Sequence, residues 1–477
     1  MSRVISSSPA STRAVDRSAE HERTVERVAL AYAALPADEP VRLAKRTSNL
    51  FRHRTAYATP GLDVSGLDGV VSIDAEAGTA RVGGMATYER LVDELLPHGW
   101  VPMVVPQLRT ITIGGAVTGL GIEASSFRNG LPHESVLEME ILTGGGGVVR
   151  ARPEGEHAEL FRGFPNSYGS LGYALGLTIE LERAAPFVAL RHLRFSALGD
   201  LMDTIAVIMR DRTWGEQRVD FLDGVVFGPT EMYLTLGRWS ETLEGQPRPS
   251  DYTGEKIFYR SIQERRRDVL TAHDFLWRWD TDWFWCSSAF GAQHPVVRRV
   301  WPKAYLRSDV YWKIVAFERQ HGIMERIDRL RGLPERERVV QDVELPLART
   351  AEFLDWFLRQ VPITPVWLCP VQLRSPAPAD GSAPWPLYPM RPGEPYVNVG
   401  FWSSVELTPG RRPGDTNRAV EAEVGRLGGH KSLYSESFYN EATFAALYGG
   451  AAYTSVKAHY DPDHRFPTLY DKAVRNR

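Results

Sequence analysis

PQLRTITIGGAVTGLGIEASSFRNG, residues 106–130, is the stretch on which the fold turns. Glycines at 114, 115, 119 and 121 alternate with small residues instead of building a hydrophobic face. Backbone this bare lets a flat, anionic ligand come close. Two familiar phosphate loops fail here. Gly114 and Gly119 have the Walker A spacing, but Leu120 and Gly121 stand where a lysine and a hydroxyl must hold phosphate and magnesium. No GxGxxG opens a helix within a βαβ unit either.

Working outward, GVVSIDAEAGTARVG at 69–83 reads as two short strands joined by a turn at Glu76 to Gly78. Tyr88, Leu91, Val92 and Leu95 then follow helical spacing. After the loop, Leu137, Met139 and Ile141 alternate with Glu138 and Glu140, which predicts a strand with one face buried, and Gly144 to Gly147 turn the chain into another. A third glycine-rich element, Asn166 to Gly172, precedes the strand-like Leu177–Leu181. A helix is expected from about Ala19 to Leu35, ending at Pro36, behind a Ser- and Arg-rich arm expected to be disordered over residues 1–24.

These segments together resemble the FAD-binding domain of the vanillyl-alcohol oxidase and p-cresol methylhydroxylase (PCMH) type, and within it the 24-dehydrocholesterol reductase (Diminuto-like) branch. Four places carry the resemblance: residues 110–126, Tyr168 to Gly172, VPITPVWLCP at 361–370, and the tail from Leu433-Tyr434 to Phe466-Pro-Thr-Leu-Tyr-Asp-Lys472. It implies an α+β fold, a two-part FAD-binding domain with an α+β cap domain. The FAD part would span 25–185, the cap 186–430, and 431–477 would return to the FAD domain.

The resemblance places a first pyrophosphate loop at Lys45, Arg46, Thr47, Ser48 and Asn49, where two cations beside two hydroxyls suit a diphosphate. It assigns further cofactor contacts to Thr110, Thr112, Ile113, Gly114, Gly115, Gly119, Gly121, Ile122, Ser125, Ser126, Gly169, Ser170, Gly172 and Ile179. Many relatives attach flavin through a histidine in the first loop; this loop has none, His53 lies beyond it, and FAD is expected to be non-covalent.

Composition is that of a globular protein: 477 residues, 43% hydrophobic and 24% charged. A net charge of −3 argues against nucleic acid as a partner. With only Cys286 and Cys369 no disulfide framework exists, and a reducing cytoplasm is expected. No apolar run approaches the ~18 residues of a membrane span, and the N-terminus lacks the apolar core of a signal peptide. Eukaryotic sterol reductases of this family carry an N-terminal membrane segment, so the departure here, with the abundance of Arg and Ala, points to a bacterial, actinobacterial source. HExxH, paired CxxC and GxSxG are all missing; Asp461-Pro-Asp-His464 reads as a solvated turn, and no metal is expected.

Trp277, Trp279, Trp283, Phe284, Trp285, Phe290, Trp301, Tyr305, Tyr311 and Trp312 crowd into one block. Such side chains build a core or line a lipid tunnel, and Arg265, Arg266, Arg267, Arg298 and Arg299 suit anionic headgroups at the inner face of the plasma membrane. Reducing an isolated alkene needs an acid more than a base, because no carbonyl shares the developing charge. Tyr434, Glu436 and Lys457 in the tail are the candidates, with Glu123 as an alternative acid whose pKa rises if it is buried.

The resemblance thus implies an FAD-dependent, NADPH-consuming reductase of a lipid C=C. A methylene-branched acyl chain left by a lipid methyltransferase and a Δ24-sterol are the substrates in view. The alternatives are an oxidase or dehydrogenase of a lipid-linked sugar or alcohol, disfavoured because Ser437 stands where such relatives place a lysine, and a flavin-containing lipid-binding protein without turnover.

Overall fold

A computed structural model of the chain describes residues 16–475 apart from 38, 40, 46–50, 53–60, 254–255, 322–325, 327–329, 331 and 380. Val70–Asp74 (β1) and Thr79–Gly83 (β2) form the expected hairpin, turning through Gly78 at φ 66°. The helix Tyr88–Leu95 follows; the Thr87 hydroxyl caps it by accepting from Arg90 N–H, and its four periodic side chains are buried. Trp100–Pro102 (β3), Val136–Leu142 (β4), Val148–Ala151 (β5) and Tyr173–Arg183 (β6) complete an antiparallel sheet of order β1-β2-β6-β4-β5, with β3 also on β6.

Along β4 the expected alternation fails. The β4–β6 register shifts at Val136/Glu138 and again at Glu140/Ile141, so Leu137 is 41% exposed while Glu140 is buried. Glu140 survives inside because His21 Nε2 lies 2.7 Å from one carboxylate oxygen and Arg81 donates to the other at 2.8 Å. His21 belongs to the helix Ser18–Ala33, which buries His21, Val28 and Tyr32. That helix begins inside the segment expected to be a disordered arm to residue 24: Asp16 already bridges to Ser72, and residues 1–15 lie outside those described.

Between Arg183 and Phe187 the chain passes into a second antiparallel sheet. Its strands are Phe187–Phe195 (β7), Phe221–Gly228, Glu231–Ser240, Arg267–Thr271, Arg336–Pro346, Val366–Val371, Tyr396–Glu406 and His430–Lys431; a two-residue hairpin, Thr213–Trp214 (β8) and Gln217–Arg218 (β9), lies apart. With the remaining strands numbered β10 to β16 in chain order, the sheet runs β12-β7-β11-β10-β14-β15-β13-β16. Period-two alternation sorts its side chains. Val339, Val343 and Leu345 of β13, with Val366 and Leu368 of β14, pack against the helices Leu198–Asp211, Leu347–Gln360 and Asp415–Arg426. Trp367, Cys369 and Val371 turn the other way, into a core shared with the first sheet. The helices Gly450–Tyr460 and Leu469–Ala473 add Val456, Tyr460, Leu469 and Ala473 to that same core. The architecture is α+β, and none of the described helices is long and apolar enough to cross a membrane.

Burial alone would raise the Glu140 pKa, but the bonds from His21 and Arg81 outweigh it and hold the group at about 2. A carboxyl depressed in the folded state stabilises the fold above its unfolded pKa, and that contribution disappears as the pH falls through the folded value. Acid unfolding monitored by circular dichroism should therefore show about 3 kcal/mol lost between pH ~4.5 and ~2 in the native chain. In Glu140→Gln this component should be gone, with lower stability at pH 7.

Candidate functional site

A cavity of about 750 Å³ lies between the two sheets. Its first wall is the glycine stretch. Thr112 starts the helix Ile113–Thr118: its hydroxyl accepts from Gly115 N–H at 3.2 Å and from Lys45 Nζ at 3.1 Å. Gly114 N–H donates to Gly84 O at 3.0 Å, and a Cβ on Gly114 would sit 2.5 Å from that oxygen. Gly121 is likewise closed in, between Pro106 and Pro132 at 2.7 and 3.0 Å. Gly115 differs: a Cβ there would meet no backbone, only the hydroxyl of its capping Thr112 at 2.8 Å and Lys45 Nζ at 3.7 Å, both side-chain atoms. It is the glycine that keeps space open on the cavity side.

Thr110, Thr112, Gly114, Gly115, Gly119, Gly121, Ile122, Gly169 and Lys45 all line the cavity, together with Arg42, Arg52 and Lys472. Lys472 also ties the wall, donating to Gly169 O at 2.8 Å. Arg46, Thr47, Ser48, Asn49 and His53 lie outside the described residues. Ile113, Ser125, Ser126, Ser170, Gly172 and Ile179 are buried behind the wall rather than in it. Their bonds explain why: Ser125 Oγ donates to Met103 O, Ser126 Oγ accepts from Glu123 N–H, and Ser170 O receives Lys457.

The opposite wall is aromatic, formed by Trp283, Phe284, Trp367 and Trp402, with Phe284 stacked on Trp402 at 4.3 Å. Trp277, Trp279 and Tyr311 of the same block are plain core, at most 1% exposed, whereas Tyr305 is at the surface. A polar cluster, Asp342, Asn398, Ser432 and Tyr434, breaks the aromatic wall. Asp342 of β13 accepts from Asn398 Nδ2 at 3.0 Å and from the Tyr434 hydroxyl, which in turn accepts from Trp402 Nε1 at 2.9 Å. Burial pushes the Asp342 pKa up to about 6, the two donors only partly offsetting it. Two residues along the same face, Glu344 is raised further by burial, with Ser432 donating to it at 2.7 Å.

Of the four acid–base candidates, only Tyr434 lines the cavity. Glu436 is exposed, two residues on, and its carbonyl serves only to receive Lys431. Lys457 is a buried tie: it donates to Ser170 O and Phe466 O, both at 2.7 Å, and pairs with Asp461. Asp461 also accepts from the Arg465 and Phe466 N–H groups, so the DPDH turn closes on itself. Glu123 does rise, to about 7, through burial. Yet Arg278 donates to it at 3.0 Å and to Asp223 at 2.9 Å, and the triad stands outside the cavity lining. Asp342, Asn398, Trp367 and Trp402 escape the sequence reading. The legible signal is VVQDVELP, two carboxylates at i and i+2 among three valines and a leucine.

Residues 15–152 match the FAD binding domain family. The chain is 24% identical to the Delta(24)-sterol reductase of Arabidopsis thaliana over 448 residues, 87% of this chain and 77% of that one. Against the Homo sapiens Delta(24)-sterol reductase it is 24% identical over 419 residues, 85% and 76%. Decaprenylphosphoryl-beta-D-ribose oxidase of Mycolicibacterium smegmatis is 33% identical over 149 residues, 30% of this chain and 31% of the oxidase.

The chain is an FAD-dependent oxidoreductase, similar over most of its length to the Delta(24)-sterol reductases. The oxidoreductase's cavity fits its cofactor. Arg42, Lys45, Arg52 and Lys472 supply positive charge for a diphosphate, Gly115 leaves the backbone bare on the cavity side, and the tryptophan wall suits a flat ring.

Gly115→Val should reduce bound FAD while leaving the fold intact, because its side chain enters the cavity. Gly114→Val should cost stability first, since it forces two backbones apart. Flavin absorbance per chain and the melting temperature of the apo-protein separate the two; full FAD occupancy in Gly115→Val would show that the cofactor does not lie against this helix.

Proposed function

We propose that the oxidoreductase reduces an isolated C=C in a hydrophobic lipid, using non-covalently held FAD and NADPH as electron donor. The lipid is a methylene-branched fatty acyl chain, supplied by a methyltransferase that installs the methylene, or a Δ24-sterol-like side chain. Both present one alkene in an apolar tail. The setting is cytoplasmic, at the inner face of the plasma membrane.

The observation that carries this reading is the carboxyl–phenol pair Asp342–Tyr434, set beside the aromatic cavity wall of a chain similar over 85% or more of its length to Delta(24)-sterol reductases. Bound flavin, once reduced, supplies a hydride. The side chains do the rest. Trp283, Phe284, Trp367 and Trp402 take up the apolar chain and exclude water. Asp342 holds the proton for the second alkene carbon, because a carboxyl with a pKa of about 6 is partly protonated near neutrality and still a competent donor. Tyr434, whose phenol is pushed well above its usual range by burial and by the Asp342 charge, orients that carboxyl and is the weaker acid. Likeness to the decaprenylphosphoryl-beta-D-ribose oxidase extends over 30% of the chain, against 85% or more for the sterol reductases, so the oxidase reading has the narrower support.

Stopped-flow mixing tests the assignment. NADPH should reduce the flavin, and vesicles of a 10-methylene-acyl phospholipid should reoxidise it without oxygen. Asp342→Asn should leave the first half-reaction intact and slow the second by about 10²–10⁴-fold. In the native chain the second rate should fall tenfold per unit as the pH rises above about 6, because the donor must carry its proton. Unchanged reoxidation in Asp342→Asn removes that residue, while failure of both the acyl and a Δ24-sterol alkene rejects the lipid-reductase reading. Acid precipitation should release intact FAD; yellow colour retained in the pellet would mean a covalent bond.

A further inference from the structure

Nine large hydrophobic side chains are exposed among the described residues, and seven of them fall between Val296 and Leu333. This is a concentration, since the rest of the described surface contributes only Leu30 and Leu137. Val296 and Val300 share one face of the helix Pro295–Val300, and Ile314 and Phe317 share one face of Ser308–His321. Ser308–His321 is anchored one turn before Ile314 by Tyr311, fully buried and stacked on Phe290 at 5.5 Å. So the exposed apolar side chains are not the frayed side of a loose helix.

Charge on this face is net positive. From Pro295 to His321 the exposed Arg and Lys side chains described are Arg299, Lys303 and Lys313, while the acids Asp309 and Glu318 are only partly exposed and Asp309 is shared between Arg307 at 3.0 Å and Lys313 at 3.7 Å. Apolar side chains ringed by cations suit an anionic lipid surface, where the tails take the former and the headgroups the latter. The face also backs onto the cavity. Trp312 packs on Phe51 and Trp283, at 4.8 and 5.8 Å, and both of these line the cavity. One layer of aromatic rings therefore separates the exposed face from the site.

We propose that the face bearing Val296, Val300, Ile314 and Phe317, with Lys303 and Lys313, docks the enzyme on an anionic phospholipid bilayer, bringing the cavity against the membrane that holds its substrate. The proposal rests on the lipid reading above only for its purpose; binding is measured without turnover. It also relocates the expected headgroup contact. Arg298 is buried and pairs with Asp282, and Arg265 is drawn to Asp268 and Ser250, so neither is available to a membrane.

The test is flotation of the FAD-loaded full-length chain with phosphatidylglycerol–phosphatidylcholine vesicles against phosphatidylcholine alone, at low and high salt. Binding to the anionic vesicles only, weakened by salt, is expected. Ile314→Ser with Phe317→Ser should weaken it by tenfold or more, roughly the burial lost by two large apolar side chains. Lys303→Glu with Lys313→Glu, which leaves the apolar face untouched, should weaken it by about fivefold or more per charge. Arg266→Ala with Arg267→Ala should bind as the native chain does. No flotation at low salt, undiminished binding in both face variants, or loss confined to the Arg266/Arg267 variant overturns the assignment. So does light scattering that shows a dimer in the native chain and a monomer in the Ile314/Phe317 variant, since a second copy would then cover the face.

Discussion

Three stretches of backbone meet at Gly84, Gly114 and Ala174, where the only side chain is the Ala174 methyl. Gly84 N–H donates to Leu175 O at 2.8 Å and Gly114 N–H to Gly84 O at 3.0 Å, so the helix Ile113–Thr118 is laid directly against the central strand β6. A methyl group on either glycine would clash with a neighbouring carbonyl oxygen. The rest of the first wall follows from this approach: it fixes where Thr112 meets Lys45, which side of Gly115 is left open, and where Gly119 meets the Tyr168 ring, 3.4 Å from its would-be Cβ. Rigid backbone, not a set of cationic side chains, gives that wall its shape.

The second wall is governed by the two-residue period of a strand buried on both faces. Once Val339, Val343 and Leu345 are committed to the helical layer, Asp342 and Glu344 must face the cavity side. Carboxyls in such a place, Asp342 half-buried at the cavity and Glu344 fully buried, are costly as anions, and the structure answers each with neutral donors, Asn398 and Tyr434 for one and Ser432 for the other. Neutral donors leave the proton affinity high, which is what a proton donor requires. Contrast Asp461 with Lys457, where the acid meets a fixed cation and the pair serves as a tie whose partner, left alone, would be an uncompensated buried charge; Glu123, though burial raises its pKa to about 7, is held by Arg278 outside the cavity lining.

Burial has thus separated the acids of this chain by the kind of partner each received. Tyr434 belongs to the cavity because its hydroxyl lies between Asp342 and Trp402, and its carbonyl holds Phe51 N–H at 2.9 Å. Glu436, two residues away, faces solvent because the tail runs along the second sheet, where Lys431 and Glu421 fix the backbone from Glu436 to Phe438. Distance along the chain said nothing of this difference.

What the sequence by itself determined was local and periodic. The hairpin at 70–83, the helix Tyr88–Leu95 and the bare glycine stretch are written in turn residues, i and i+3 spacing, and the absence of side chains, all of which act between near neighbours. Lys45, Thr112, Gly115 and Gly169 could be placed at the site on those grounds with the aid of the family resemblance. Tertiary structure alone decided the rest. It buried Glu140 and exposed Leu137 through two register shifts, sent Lys457 and Glu123 into ion pairs, and brought Asp342, Asn398 and Tyr434 to one point from three distant segments. The physical reason is that a carboxyl's role depends on its solvation and on the partners facing it across the core, and those partners are set by strand pairing between residues far apart in the chain.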